Sequence, residues 1–185
     1  MTEELKTKAE NSMKQAVQAL TNELKKVRTG RAQVNMLDSV RVNYYGQPAP
    51  LNQVGSVSCP DARSFLIAPW ETSLLKEIEQ AIIKSDIGMA PQNDGKVIRL
   101  RLPELTEERR KDLVKSIKKI VEDARVAIRM ARREANDALK SALKDKAISE
   151  DENKTATDAI QKITDEYIKK VDQIGAEKEK ELLTV

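Results

Sequence analysis

The chain has no histidine among its 185 residues. Catalytic sites that pair a serine or cysteine nucleophile with a histidine base are therefore excluded. The glycine-rich phosphate-binding patterns GxxxxGK[S/T] and GxGxxG do not occur either. Acidic pairs such as Glu107–Glu108 and Asp151–Glu152 lie where helices are predicted to begin, and helix capping accounts for them. The sequence therefore predicts a protein that is not an enzyme.

Cysteine is nearly absent as well. The one cysteine, Cys59, cannot form a disulfide within the chain, and no cysteine or histidine spacing of the kind that holds zinc is present. The N-terminal segment is charged from its third residue, and no apolar run reaches the roughly 18 residues of a membrane-spanning helix. We therefore expect a soluble, cytoplasmic protein without a metal or another cofactor.

Helix-breaking residues are missing from both ends of the chain. All six prolines and five of the six glycines lie between residues 30 and 103, and these two residue types interrupt helices. We therefore predict an inserted domain of residues 30–104, which divides a helical domain of residues 1–29 and 105–185.

Three amphipathic stretches make up the predicted helical domain. The first is expected to stop at Thr29-Gly30, the second to run from about Thr106 to about residue 145, and the third to begin at Ser149, which has Glu152 at the capping-box spacing. Their apolar seams are Leu5, Ala9, Met13, Ala16, Leu20, Leu24 and Val27; Leu113, Ile117, Ile120, Ala124, Ile128, Ala131 and Ala135; and Ala156, Ile160, Ile163, Tyr167, Val171, Ile174 and Leu182. Such seams bury one another in an elongated three-helix bundle. Because this uses every seam within the chain, we expect a monomer.

The insert has the pattern of a small α/β domain. Residues 40–44 and 97–102 alternate with period two and residues 64–68 form a short apolar run, so strands are predicted there. A helix is predicted between them, opened by Thr72 or Ser73 and closed near Gly88, followed by a turn at Asp94-Gly95. Two short crossings join the insert to the helices, and two neighbouring crossings suit a hinge. The predicted hinge residues are Thr29, Gly30, Arg31, Pro103, Glu104 and Leu105.

Four arginines follow one side of the second helix. Arg125, Arg129, Arg132 and Arg133 have the spacing i, i+4, i+7 and i+8, which places them about a quarter-turn from the apolar seam. Counting formal charges, residues 104–148 carry +4, whereas residues 149–185 carry −4. Only one acid of this segment, Glu122, lies on the arginine side. We therefore predict a basic face whose charges are mostly unpaired.

Such a face is either a solvated helix surface or a binding site for a polyanion. Arginine, with its planar fork and weak hydration, suits phosphate better than lysine does. Arg28, Arg31, Arg109 and Arg110 extend the positive charge toward the predicted hinge. No aromatic residue lies in the arginine stripe. This argues against sequence-specific binding of single-stranded nucleic acid and favours recognition of RNA by its shape.

Several long motifs resemble those of bacterial ribosome recycling factors, and the resemblance covers the whole chain. The motifs that carry it are Lys26–Ala32, Tyr44–Gly46 followed by Pro48 and Pro50, Leu105–Leu113, Ala124–Asn136 and Leu143–Asp151.

The resemblance implies an α+β fold, with an elongated three-helix bundle and an inserted small α/β domain in a two-domain L-shape. It also implies that the protein binds the post-termination ribosome through large-subunit ribosomal RNA, without membrane association. With elongation factor G and GTP it would then promote dissociation into subunits, which releases mRNA and tRNA for new initiation. The RNA contacts carried over are Arg132, then Arg129 and Arg110, with Arg28, Arg31, Arg125 and Arg133 in support. The alternatives are a general RNA-binding or ribosome-associated protein without recycling activity and, less well supported, an enzyme.

Overall fold

A computed structural model describes Met1–Thr184 of the chain. The described residues form, in chain order, α1 (Thr2–Lys26), β1 (Arg41–Tyr44), β2 (Gln47–Pro50), α2 (Leu51–Val54), β3 (Gly55–Asp61), β4 (Ser64–Pro69), α3 (Leu75–Lys84), β5 (Gln92–Asn93), β6 (Ile98–Arg101), α4 (Glu107–Lys144) and α5 (Glu150–Leu183). Short 3-10 turns occupy Val34–Leu37 and Thr72–Leu74. One compact unit comprises Met1–Arg28 and Glu108–Leu183, and the other comprises Thr29–Glu107. The α+β fold is confirmed.

The helical unit buries the apolar stripes of α1, α4 and α5 against one another. One cluster of its core draws on all three helices and on the turn between α4 and α5; its members are Ala9, Ala135, Leu139, Ala142, Ile148, Ala156 and Ile160. With 38 residues, α4 extends about 57 Å. No helix within Met1–Thr184 combines the length and the apolar character needed to cross a bilayer.

In the predicted seams of α4 and α5, three positions differ from the structure. Ile120, Ile163 and Ile174 are only half-buried, and the neighbouring Val121, Thr164 and Gly175 are buried instead. The hydroxyl of Thr164 donates to the Ile160 carbonyl at 2.7 Å, so this polar group is satisfied within its own helix. At Gly175 the two helices approach closely, because a Cβ there would lie 2.7 Å from Val121 Cγ2. Small or self-satisfied residues therefore occupy places that a count of large apolar residues does not reveal.

The first helix ends earlier than expected, at Lys26 rather than at Thr29-Gly30. Val27 already has an extended backbone, with φ −78° and ψ 114°. Gly30 adopts a left-handed conformation with φ 80°, four residues after the last residue of the helix. Its conformational freedom therefore serves the loop that follows the helix and not the helix cap.

The connection between α4 and α5 has a defined structure at both ends. Lys146 is left-handed, the Lys146 N–H donates to Leu143 O, and the Ala147 N–H donates to Ala142 O. This is the hydrogen-bond pattern of a Schellman motif. At the start of α5, the Ser149 N–H donates to Glu152 Oε2 at 2.7 Å and the Glu152 N–H donates to Ser149 Oγ at 3.2 Å. The capping box predicted from the sequence is thus confirmed.

The smaller unit contains two antiparallel sheets and one substantial helix. Strands β1 and β2 form a hairpin, while the other four strands have the order β3-β4-β6-β5. Fully buried Phe65 and Ile67 of β4 pair with Leu100 and Ile98 of β6, and the buried face of α3 belongs to the same core. The turn at Asp94-Gly95 is confirmed, since Asp94 Oδ1 accepts hydrogen bonds from the N–H groups of Lys96 and Val97.

Three strands of this unit were not predicted from the sequence patterns. Strand β2 contains two prolines, β3 contains one, and β5 has only two residues. Proline cannot donate a ladder hydrogen bond, and it is tolerated in β2 and β3 because both lie at the edge of a sheet. The predicted strands at residues 40–44, 64–68 and 97–102 are found within one residue at each end.

Candidate nucleic-acid interface

The four predicted arginines all lie on α4, with guanidinium groups on its exposed surface. Their placement follows from the burial of the apolar side of the helix, which lies about a quarter-turn away. The buried residues of α4 are Leu113, Ile117, Val121, Ala124, Ile128, Ala131, Ala135, Leu139 and Ala142. A helix anchored along one side keeps its rotation fixed, so the arginines have a defined direction.

Arg125 is engaged by two carboxylates. Its Nε and Nη2 donate to Asp172 Oδ1 of α5 at 2.9 and 2.6 Å, and its Nη1 donates to Glu122 Oε2 at 3.0 Å. Its side chain is 32% exposed. These bonds, first from Asp172 and then from Glu122, raise the pKa of Arg125 above its ordinary value. The guanidinium is therefore charged, but its charge is matched within the protein.

Glu122 joins Arg125 to Arg129. Its Oε1 accepts a hydrogen bond from Arg129 Nη1 at 3.1 Å, while its Oε2 accepts from Arg125. The two arginines, Arg125 foremost, lower the pKa of the Glu122 carboxyl below its ordinary value. One carboxylate thus orients two guanidinium groups.

At the other end of the face, the partner of Arg132 is an uncharged side chain. Arg132 Nη1 donates to Gln161 Oε1 of α5 at 3.2 Å, and Gln161 Nε2 in turn donates to Asp165 Oδ1 at 2.9 Å. An amide orients Arg132 without cancelling its charge. Arg133 is exposed and has no hydrogen bond or ion pair within the described part of the chain.

The prediction of a mostly unpaired face is therefore wrong for Arg125 and Arg129. Glu122 reaches an arginine seven residues away, and Asp172 reaches Arg125 from another helix. Helical spacings of three and four residues indicate neither contact, because one spans seven residues and the other joins two helices. Asp172 and Gln161 carry no sequence signal of their own, since acids and amides are common on helix surfaces.

The remaining predicted contacts belong to other segments of the chain. Arg110, which is half-buried, precedes Arg125 by 15 residues on α4, or about 22 Å along the helix. Arg28 follows the end of α1, and Arg31 belongs to the smaller unit; both are exposed. The structure therefore groups Arg125, Arg129, Arg132 and Arg133 on one surface of α4, with Arg110 farther along the same helix and Arg28 and Arg31 outside it.

The predicted hinge residues lie in two irregular segments. Next to them in the smaller unit, the Ala32 N–H donates to Ala62 O at 2.7 Å and the Leu102 N–H donates to Arg63 O at 2.8 Å. Arg63 also forms an ion pair with Glu104 at 2.8 Å. Thr29 is buried, whereas Arg31, Pro103 and Glu104 are exposed and Gly30 and Leu105 are half-buried. Both segments therefore leave the smaller unit beside residues 62 and 63.

Catalytic chemistry has little support in the structure. Cys59 is half-buried, and burial, together with the nearby Asp61 carboxylate, raises the pKa of its thiol, which disfavours the reactive thiolate. Across Met1–Thr184, no three cysteine or acidic side chains come together as metal ligands would. The site defines an α+β protein whose helical unit displays an arginine-rich face.

Comparisons with known proteins identify the family. The ribosome recycling factor family model matches residues 20–183. A ribosome-recycling factor from Bdellovibrio bacteriovorus is 66% identical over 182 residues, 98% of either chain. The solution structure of a ribosome recycling factor has a TM-score of 0.72 at 39% identity, and covers 100% of this chain and 98% of its own. A second structure contains the T. thermophilus ribosome recycling factor and E. coli elongation factor G bound to the E. coli post-termination complex. Its similarity to this chain has a TM-score of 0.62 at 45% identity, with 99% of both chains covered.

The chain belongs to the ribosome recycling factor family. It is accordingly a non-enzymatic translation factor that acts in ribosome recycling.

Proposed function

We propose that this protein binds the post-termination ribosome by docking the arginine face of α4 on phosphates of large-subunit ribosomal RNA. With elongation factor G and GTP, it then promotes dissociation into subunits, and mRNA and tRNA are released. The observation that carries this proposal is the hydrogen bond that orients Arg132 on the exposed helix surface. Its acceptor is a neutral amide, so it does not cancel the charge of the guanidinium. A guanidinium held in this way keeps its full charge and a fixed direction, both of which strengthen phosphate binding.

The proposed RNA contacts differ in weight. Arg132 leads, and Arg129 and Arg133 lie on the same surface. Arg110 makes a separate contact farther along α4, and Arg28 and Arg31 give support near the end of α1 and in the smaller unit. All six act on phosphate, so the contacts fix the position of the protein and read the shape of RNA rather than its sequence.

The smaller unit transmits the action of elongation factor G through a hinge at Thr29–Arg31 and Pro103–Leu105. Both segments lie between regular elements, and Gly30 already uses the left-handed region that permits a sharp change of direction. The protein works in the cytoplasm, where ribosomes terminate translation.

The decisive experiment is sedimentation of post-termination ribosomes with this protein, elongation factor G and GTP. Splitting is expected only when all three are present, and omission of each one in turn is the control. Binding to the large subunit without any splitting would favour the alternative, a ribosome-associated protein without recycling activity.

Binding is also expected to weaken steeply as salt increases. About five neutralised phosphates on duplex RNA give a slope near −4.5 in a plot of log K against log salt concentration. A salt-independent affinity for the large subunit would contradict docking on phosphates.

A further inference from the structure

The arginines of α4 differ in which of their donors remain available. A guanidinium offers two edges for bidentate pairing, one formed by Nε with a terminal nitrogen and one formed by the two terminal nitrogens. A phosphate can be gripped by either edge. Bidentate phosphate binding therefore depends on which edges the protein itself already occupies.

Arg125 has both edges occupied. Asp172 Oδ1 accepts from Nε and Nη2, which is the first edge, and Glu122 Oε2 accepts from Nη1, which belongs to the second. These acceptors lie in different helices, α5 and α4. A phosphate would have to displace a carboxylate to reach this guanidinium with two hydrogen bonds.

Arg129 and Arg132 each keep an edge. Both use only Nη1, Arg129 toward Glu122 Oε1 and Arg132 toward Gln161 Oε1. The edge formed by Nε and Nη2 carries no other contact in either residue within the described part of the chain. One contact fixes the direction of each side chain, and the opposite edge remains available to a ligand.

The charges divide the face in the same way. Arg125 and Arg129 together balance Glu122 and Asp172, so this group of four has no net charge. Arg132 has an amide as its partner and Arg133 has no partner among the described residues. Attraction of phosphate is therefore concentrated at Arg132 and Arg133, whereas Arg125 and Arg129 lie in a neutral network.

We infer that Arg125 is a positioning residue and not a phosphate ligand: anchored by Asp172, it holds Glu122, and Glu122 holds Arg129 with its free edge directed outward. This inference rests on the proposed docking of the arginine face on RNA. It assigns different tasks to residues that have the same chemistry and the same helical spacing.

The test uses a variant that leaves the local charge unchanged. The double substitution Arg125→Gln with Asp172→Asn removes one positive and one negative charge and breaks the anchor of Glu122. Its matched control is Arg133→Gln, which removes one exposed arginine of the same helix. Affinity for purified large ribosomal subunits is measured over a series of salt concentrations, and far-UV circular dichroism verifies the helical content of each variant.

The double variant is expected to lose about fivefold in affinity while keeping the salt slope of the unaltered protein. Arg133→Gln is expected to make the slope less steep by about 0.9 on duplex RNA. A third variant, Arg125→Lys, keeps the charge but cannot reproduce the three hydrogen bonds to the two carboxylates, so its affinity is expected to fall as far as that of the double variant.

A spectroscopic measurement follows the positioning directly. In an NMR titration of the side-chain carboxyl carbons, the pKa of Glu122 is expected to rise toward its ordinary value in the double variant and to stay low in Arg133→Gln. Loss of general stability alone would not separate these two variants in this way.

Two results would overturn the inference. A salt slope reduced in the double variant as much as in Arg133→Gln would make Arg125 a phosphate ligand, and unchanged affinity would make its ion pairs irrelevant to binding. Failure of the proposed function looks different, because the unaltered protein would then show no salt-dependent binding at all.

Discussion

The two units of this protein use their surfaces in different ways. The helical unit buries mainly alanine, leucine and isoleucine in long stripes, and its one buried aromatic residue among those described is Tyr167. The smaller unit has fully buried Phe65 in its core, but it exposes Tyr45 and Trp70, which are 77% and 66% accessible. The helical unit therefore exposes an arginine-rich face, whereas the smaller unit exposes two large aromatic side chains.

The two units also orient their exposed side chains by different means. The arginines of α4 are directed by residues such as Gln161 and Asp172, which belong to a different helix. Tyr45 is directed by its backbone, which is left-handed with φ 50°, and by a hydrogen bond from its hydroxyl to Glu71 at 3.1 Å. A bulky residue in this conformation is strained. The number of charges or rings in the sequence thus says less than the contacts that fix them.

Removal of the smaller unit should have the largest effect on this division of roles. Replacement of residues 32–102 by a short Gly/Ser bridge is expected to abolish subunit splitting while the helical unit still folds and binds the large subunit. The reason is that the core of α1, α4 and α5 is built from those helices and the turn between them. Helicity, large-subunit affinity and splitting are measured on the same preparation.

Retained splitting by the shortened protein would contradict this difference in role between the two units. In that case the aromatic surface and the hinge segments would be dispensable, and the helical unit alone would carry the activity.

Arg132→Ala should weaken large-subunit binding with little change in stability. Loss of one charge-assisted contact of about 2 kcal/mol corresponds to roughly thirtyfold in affinity. Equilibrium binding and thermal unfolding are the measurements. Arg132→Lys serves as the control for charge, since it keeps the positive charge but loses the fork. Normal binding by the alanine variant would exclude Arg132 as the leading contact.

Gln161→Glu should produce a smaller loss, because Gln161 is expected to affect binding through Arg132. The new carboxylate would convert the neutral partner of Arg132 into an ion-pair partner, so this end of the face would resemble the end at Arg125. An exposed ion pair of up to about 1 kcal/mol gives a loss of up to about fivefold. Gln161→Ala, measured beside it, removes the orienting amide without adding charge. Equal affinities for the two variants would show that charge balance at Arg132 is unimportant.

Ser149→Ala should have the smallest effect on function, because it lies at the start of α5 and outside the arginine face. Loss of this cap is expected to cost about 1 kcal/mol of unfolding free energy, measured by chemical denaturation, with large-subunit affinity unchanged. A loss of affinity without a loss of stability would contradict its purely structural role.

The same cap predicts a pH dependence. Hydrogen bonds from Ser149, the backbone N–H first, lower the pKa of Glu152 in the folded protein below the ordinary 4.5. A lowered folded-state pKa stabilises the fold above the unfolded pKa, and this contribution disappears as pH falls through the folded value. The Glu152 contribution should therefore be complete above about pH 5 and lost in more acidic solution, and Ser149→Ala should reduce it. Chemical denaturation of both proteins across this pH range is the measurement.

Local sequence patterns were sufficient to predict the three long helices, three strands of the smaller unit and the capping box at Ser149. Burial of one side forces a repeat on α4 and α5, and this repeat can be read without any tertiary information. Proline-containing β2 and β3 were missed because edge strands do not need the pattern of a buried strand. The resemblance to a known family supplied the function that the residues alone left open.

The arginine face could be predicted in position but not in charge state. The helical spacing places Arg125 and Arg132 on one side, and it treats them as equivalent. Asp172 lies 47 residues beyond Arg125, and Gln161 lies 29 residues beyond Arg132, so their contacts depend on the register between α4 and α5. That register is set by packing of the two helices and has no signature within either one.

The register between α4 and α5 also depends on Gly175. The missing side chain lets α5 approach Val121 of α4, and Asp172 and Arg125 each lie about one turn from that contact. A larger residue at position 175 would push the two helices apart and separate Asp172 from Arg125, leaving the guanidinium without its anchor. A buried position with no charge and no contact with RNA would in this way control how positive the outer surface is. Changes in the interior of this bundle can therefore alter how the arginines on its surface are paired.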